Sequence, residues 1–173
     1  MKRVFLKSVA IAIIAMVTMS MSTFAQAKGD MAVGGNVVVG LDDSYTNFGL
    51  GPKFQYNVTD PIRLEASFTY FLKKDNVSMW DLSVNAHYLF PIADQIKVYP
   101  LAGLGVLGAK ADKYDIPGYG SVGGGSNTEF GFNLGGGIDF NLTDKLFLNA
   151  ELKYKIGDNW DRFLISAGFG YRF

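Results

Sequence analysis

From residue 29 to the end of the chain there is no helical period. Apolar residues alternate with polar or small ones, the period-two mark of a strand with two unlike faces. The alternation is clearest at residues 62–70, 80–88 and 148–156. In the closing segment, Phe163, Ile165, Ala167, Phe169, Tyr171 and Phe173 share one face, and Ser166, Gly168, Gly170 and Arg172 the other. Fitting weaker stretches around these predicts eight strands, at about 30–41, 46–58, 61–73, 78–90, 96–110, 128–142, 146–157 and 163–173. Short turns fall at Thr59-Asp60, 91–95 and Thr143-Asp144-Lys145, all rich in turn formers. The alternate connections, 73–77, 111–127 and 157–162, are longer on average. An even strand number with short turns at one end and longer loops at the other predicts an all-β fold: a closed, eight-stranded, antiparallel, up-and-down barrel.

The first 27 residues do not follow this pattern. Lys2, Arg3 and Lys7 precede an unbroken apolar run of nine residues, Val9 to Val17, and the segment ends in Ala25-Gln26-Ala27. A positive start, a short apolar core and a small-x-small ending predict a cleaved secretory signal peptide over 1–27. The run is too short for a spanning helix, which needs about 20 apolar residues. The barrel domain is then 28–173. It carries 13 basic and 16 acidic residues, because the 16 basic and 16 acidic residues of the whole chain lose three basic ones with the signal.

Composition narrows the chemistry. No basic excess points to nucleic acid. The absence of cysteine excludes disulfides, thiolate metal sites and a cysteine nucleophile, and a single histidine excludes a multi-histidine metal cluster.

Alternation alone does not say which face is enclosed. Two features assign the apolar face to the outside, where lipid would cover it. Aromatic residues gather at two levels, as interfacial girdles do. Phe48, Tyr70, Trp80, Phe130, Tyr154 and Phe163 lie near the loop end, and Tyr56, Tyr88, Phe90, Phe140, Tyr171 and Phe173 near the turn end. The apolar face also carries almost no charge on any strand, where a soluble sheet would place protective lysines on its edges.

With its signal peptide, its eight alternating segments over 29–173 and its ending Ile165-Ser166-Ala167-Gly168-Phe169-Gly170-Tyr171-Arg172-Phe173, the chain resembles the small eight-stranded outer-membrane barrels of Gram-negative bacteria, the OmpX-like and opacity-type, porin-like family. The resemblance implies residence in the cell outer membrane among lipid and lipopolysaccharide. It also implies a monomer with periplasmic termini and cell-surface loops, and a C-terminal strand read by the barrel-assembly machinery. That family spans adhesins, small-solute conduits and lipid-modifying enzymes, so membership leaves the function open.

The inward face is expected to hold six basic residues (Lys53, Arg63, Lys97, Lys153, Lys155, Arg172) and five acidic ones (Glu65, Asp81, Glu129, Asp139, Glu151). With them go Gln55, Asn57, Ser67, Ser83, Asn85, His87, Asn133 and Asn149. Eight strands enclose a space that side chains fill, and balanced charges there should pair. A polar plug is the leading expectation, a narrow conduit the alternative. A hydrolase reading rests on Gln55, Glu65 and His87 coming level with Ser67 one diagonal step away, but diagonal neighbours lie about 7–8 Å apart, and Leu89 stands where the lipid A deacylase barrels carry serine. No catalytic, cofactor-binding or metal residue is assigned, no cofactor is expected, and the function is expected to be non-enzymatic. Twelve of the 21 glycines lie between Gly103 and Gly137. Gly103, Gly105, Gly135 and Gly137 fall on the inward face and should leave room for long charged side chains from opposite strands. The 111–127 loop, with Tyr114 and Tyr119 among Gly and Ser, is the expected contact surface for a ligand.

Overall fold

The computed structural model describes residues 28–42, 45–74, 76–116, 120–157 and 161–173; the signal peptide expected at 1–27 lies outside them. Nine strands are present among the described residues: β1 (Met31–Asp42), β2 (Tyr45–Asn57), β3 (Ile62–Lys74), β4 (Val77–Tyr88), β5 (Phe90–Ala93), β6 (Ile96–Ile116), β7 (Gly120–Asn141), β8 (Leu146–Gly157) and β9 (Arg162–Arg172). Each pairs antiparallel with its neighbours in the order β4-β3-β2-β1-β9-β8-β7-β6-β5, and β4 also pairs with β6. That last pairing closes the sheet. Because β4 and β5 run in line against β6, the barrel has eight staves. The described residues contain no helix.

All eight predicted strands form, with two differences. The stretch 78–90 breaks at Leu89, whose N–H turns away to Pro61 O at 2.7 Å. Leu89 and Phe90 are both buried, so the alternation skips a beat there, and Pro91 has no N–H to continue a ladder. Phe90, expected on the outer girdle, is only 8% exposed and packs on Tyr88 with ring centroids 4.7 Å apart. The second difference is larger. The expected loop 111–127 is mostly strand: β6 and β7 stay in register from Ala111↔Gly125 to Ile116↔Gly120. Pairing along the β6–β7 ladder outweighs the weak strand preference of glycine. The result is a hairpin that runs about 26 Å past the Gly108↔Thr128 level.

The turns form where side chains close them. Thr59 Oγ1 accepts from Ile62 N (3.1 Å), and Thr143 Oγ1 accepts from Leu146 N (2.9 Å). At the other end, Asn76 takes a left-handed φ of 60°, a conformation that asparagine tolerates, between the paired Lys74 and Val77.

The strands are tilted, and the register measures by how much. From Asn57 the pairing runs through Arg63, His87, Leu101, Gly135, Lys153, Leu164 and Gly40, and returns to β2 at Asn47, ten residues along the strand that it left. Side chains that meet across the lumen therefore do not lie on one register line. This stagger is the geometric condition for closing a barrel.

Candidate functional site

The barrel is inside-out relative to a soluble one. Arg63 and Glu65 are 0% exposed, while Phe130 and Phe132 are 79% and 64% exposed. The outer surface carries leucine, valine, isoleucine and phenylalanine around the whole circumference, far beyond the apolar patch that a water-soluble monomer tolerates. Of the girdle residues, Phe48, Tyr70, Trp80, Phe130 and Phe163 at one end and Phe140, Tyr171 and Phe173 at the other are exposed.

Every residue expected inside is buried except Glu129, which is half-buried near the hairpin end and accepts from Asn127 Nδ2 at 3.2 Å. Buried polar groups beyond those expected are Asn36, Asn47, Thr69, Arg162 and Ser166. Arg162 falls in the expected connection 157–162. Its guanidinium instead enters the lumen, donating to Asn47 Oδ1 at 2.6 Å and lying 5.1 Å from the centre of the Phe71 ring. Parity along β9 was the available signal, since Arg162 shares the face of Ser166 and Arg172.

The lumen is stratified, which alternation alone does not show. Near the hairpin end, Val38, Phe71, Met79, Leu107, Ala109 and Leu164 form an apolar layer. Below it lie polar layers whose charges meet across the barrel. Lys155 pairs with Asp81. Asn133 Nδ2 donates to Ser83 Oγ (3.1 Å) and Asn85 Oδ1 (2.9 Å). Lys53 Nζ donates to Asn149 Oδ1 at 2.6 Å, and Arg63 Nη1 meets Asp139 Oδ2 at 2.6 Å. Deeper still, Tyr99 packs with Leu89 and Leu101 and stacks on His87 at 4.6 Å. One of the four lumen glycines makes room as expected: a Cβ on Gly105 would lie 2.6 Å from Lys155 Nζ, whereas Gly137 accommodates an uncharged ring on the adjacent strand, a Cβ there falling 2.6 Å from Tyr99. Gly103 and Gly135 instead let the backbones of adjacent strands approach, with Val84 O and Leu152 O in the way of a Cβ.

The hydrolase arrangement does not form. Gln55 and Glu65 are level and bonded at 2.7 Å, but Glu65 faces Asn85, and His87 faces Arg63. The β3–β4 turn at Asn76 and the register shift between Phe71 and Lys74 together set this pairing, two residues away from the one that would put Glu65 opposite His87. Ser67 faces Lys53 and Ser83. Arg63 instead donates to His87 Nδ1 from Nε (3.2 Å) and Nη2 (3.0 Å), occupying the atom a general base would use. Glu65, His87 and Glu151 each place one ligand-type atom within 4.8 Å of the other two.

At the hairpin rim, Lys73 pairs with the exposed Asp112. The Lys73 hydrogen bond, then its charge, holds the Asp112 carboxyl below the usual carboxylate range. A depressed carboxyl contributes stability above its ordinary pKa and loses it as pH falls through the lower, folded value. Here solvent screens the pair, so Lys73→Ala is expected to return the Asp112 titration toward the usual range, followed by carboxyl NMR, without changing the unfolding midpoint of the barrel.

A closed antiparallel barrel with paired charges sealed inside and an apolar belt outside is the architecture of an integral membrane β-barrel, in which every backbone amide at membrane depth is satisfied by a neighbouring strand. The family profile of the outer membrane protein β-barrel domain matches residues 11–173. The chain belongs to that family and is an outer-membrane protein. A search of curated proteins found no match. Among solved structures, the N-terminal β-barrel domain of Pseudomonas aeruginosa OprF is 21% identical with a TM-score of 0.65, covering 82% of this chain and 97% of that one. Ail, the attachment invasion locus protein of Yersinia pestis, is 22% identical with a TM-score of 0.60, covering 84% and 99%. Neisserial surface protein A is 17% identical with a TM-score of 0.61, covering 85% and 98%. At these identities the likeness is one of fold.

Proposed function

We propose that this protein is a non-enzymatic surface barrel that acts through its projecting β6–β7 hairpin, with a lumen closed to solutes. The hairpin carries the reading: it is the longest paired extension among the described residues, and its backbone ladder runs well beyond the girdle. Its base is braced by Asp112 N donating to Asn76 O at 3.0 Å, so it is held rather than loose. The apolar layer around Phe71 and Leu107 supports closure, because an apolar constriction excludes hydrated ions. The paired charges below it leave little free polar surface. Similar barrels include an attachment protein, Ail, which also has a structure in complex with a heparin analogue. For this chain the partner is a surface ligand met by 111–127. Residues 1–27 serve as the cleaved signal, the termini face the periplasm, the barrel is monomeric, and β9 presents the assembly signal.

Two measurements test this. The protein, folded by the criterion of a heat-dependent gel-mobility shift, is expected to be silent in a planar bilayer; stable conducting steps would replace closure with a narrow conduit. Replacing residues 112–124 by an Asn-Gly turn is expected to leave folding intact. The same change should abolish adhesion of expressing cells to the immobilised matrix proteins and sulfated polysaccharide that bind cells carrying the intact protein. Equal adhesion by both forms would remove the hairpin from the function.

A further inference from the structure

Three buried side chains at the heart of the lumen are satisfied on one side only. Glu65 Oε2 accepts from Gln55 Nε2 at 2.7 Å, Glu151 Oε1 accepts from the Tyr99 hydroxyl at 2.8 Å, and His87 Nδ1 accepts from Arg63. Their other atoms, Glu65 Oε1, His87 Nε2 and Glu151 Oε2, have no hydrogen-bond partner, although all three residues are at least nine-tenths buried. An unbonded buried polar atom is costly, so three in one place mark a site for a ligand.

We propose that Glu65, His87 and Glu151 hold one water molecule, which accepts from His87 Nε2–H and donates to the two carboxylates. The donor inventory selects water. Arginine only donates, so its bonds to His87 Nδ1 require a lone pair there and put the ring proton on Nε2. The site then offers one donor and two acceptors, and its ligand must offer one acceptor and two donors. An ammonium ion has nothing to accept with. A metal ion needs the Nε2 lone pair, which the proton occupies. A metal-bound histidine also ordinarily donates through its other nitrogen, the reverse of what Arg63 imposes. Positive charge is already supplied, with Lys153 Nζ 3.5 Å from Glu151 Oε2 and Lys53 Nζ 3.9 Å from Glu65 Oε2. The spacing agrees: one ligand-type atom from each of the three residues lies within 4.8 Å of the other two, close enough for one small molecule to reach all three side chains. The water would join the Arg63–Asp139 arm to the lysine–glutamate arms, tying β3, β4 and β8 across the lumen. The site rests on the closed lumen proposed above.

Because His87 is the only histidine, uniform 15N-histidine labelling gives one imidazole spectrum. In the refolded protein the expected result is a protonated Nε2, an unprotonated Nδ1, a cross-peak from Nε2–H to bound water, and no movement of either nitrogen on adding excess Zn2+. In Glu65→Gln, exchange of Nε2–H with solvent is expected to be about tenfold faster. A proton on Nδ1, a Zn2+-dependent shift of Nε2, or a doubly protonated ring without the water cross-peak would overturn the assignment; the wild-type spectra decide it even if the variant does not fold. Conductance separates the two ideas. Conducting barrels that keep the cross-peak sink closure alone, and silent barrels with a Zn2+ shift sink the water alone.

Discussion

Leu82→Arg is expected to prevent most of the protein from inserting into lipid vesicles. Leu82 is 46% exposed on the outer face and sits between Phe68 and Val106 in the middle of the wall. A guanidinium there faces hydrocarbon at a cost of about 2–4 kcal/mol near the midplane. The side chain has no lumen partner to reach, because its neighbours on that face are apolar. The fraction showing a heat-dependent mobility shift after mixing with vesicles measures the loss. Glu65→Gln is the control: it changes a residue of the enclosed face, keeps its shape, and is expected to insert nearly as well as the wild type. Equal tolerance of the two changes would mean that the faces have been assigned backwards.

Arg63→Met is expected to be the most damaging single change inside the lumen. It removes the partner of Asp139, whose carboxylate is fully buried at 2.6 Å from Arg63 Nη1, and it leaves His87 Nδ1 without a donor. Removing one member of a buried pair costs about 3–5 kcal/mol, because the charge left behind loses its hydrogen-bonded counter-ion and has no water to replace it, and only Lys97, opposite it on β6, offsets part of that loss. The guanidinium also lies 4.7 Å from the centre of the Tyr99 ring, so packing is lost with the charge. Urea unfolding in vesicles measures the effect. Arg63→Met combined with Asp139→Leu is expected to recover most of the loss, since apolar residues of similar volume can replace a buried pair without penalty. If the double variant is as unstable as the single one, the pair is not the source of the destabilisation.

The limits of the sequence reading follow from these same residues. Parity along a strand puts Arg63, Glu65 and Ser67 on one face, and the structure keeps them there. Phe71 shares that enclosed face, an aromatic among residues that are otherwise polar. Phe71, Tyr99 and Phe147 enter the lumen beside glycines on neighbouring strands, as Tyr99 does against Gly137 and Phe147 against Gly170, where a Cβ would collide with the ring. That complementarity is visible only once the register is known. The strand character of 111–127 is hidden for a related reason: Gly, Ser and Asn are poor strand formers in isolation, and the ladder between β6 and β7 overrides their preference.

The sequence by itself determined the strand number, the faces and the class of membrane protein, because period-two alternation, turn residues and the placement of aromatics are local properties that survive any register. Only the tertiary structure decided who meets whom inside. The ten-residue stagger around the barrel shifts each strand against the one across the lumen, so that Arg63 finds Asp139 and Lys155 finds Asp81. Stagger is a property of the closed sheet as a whole, set jointly by every turn and bulge, and no single segment of the chain contains it.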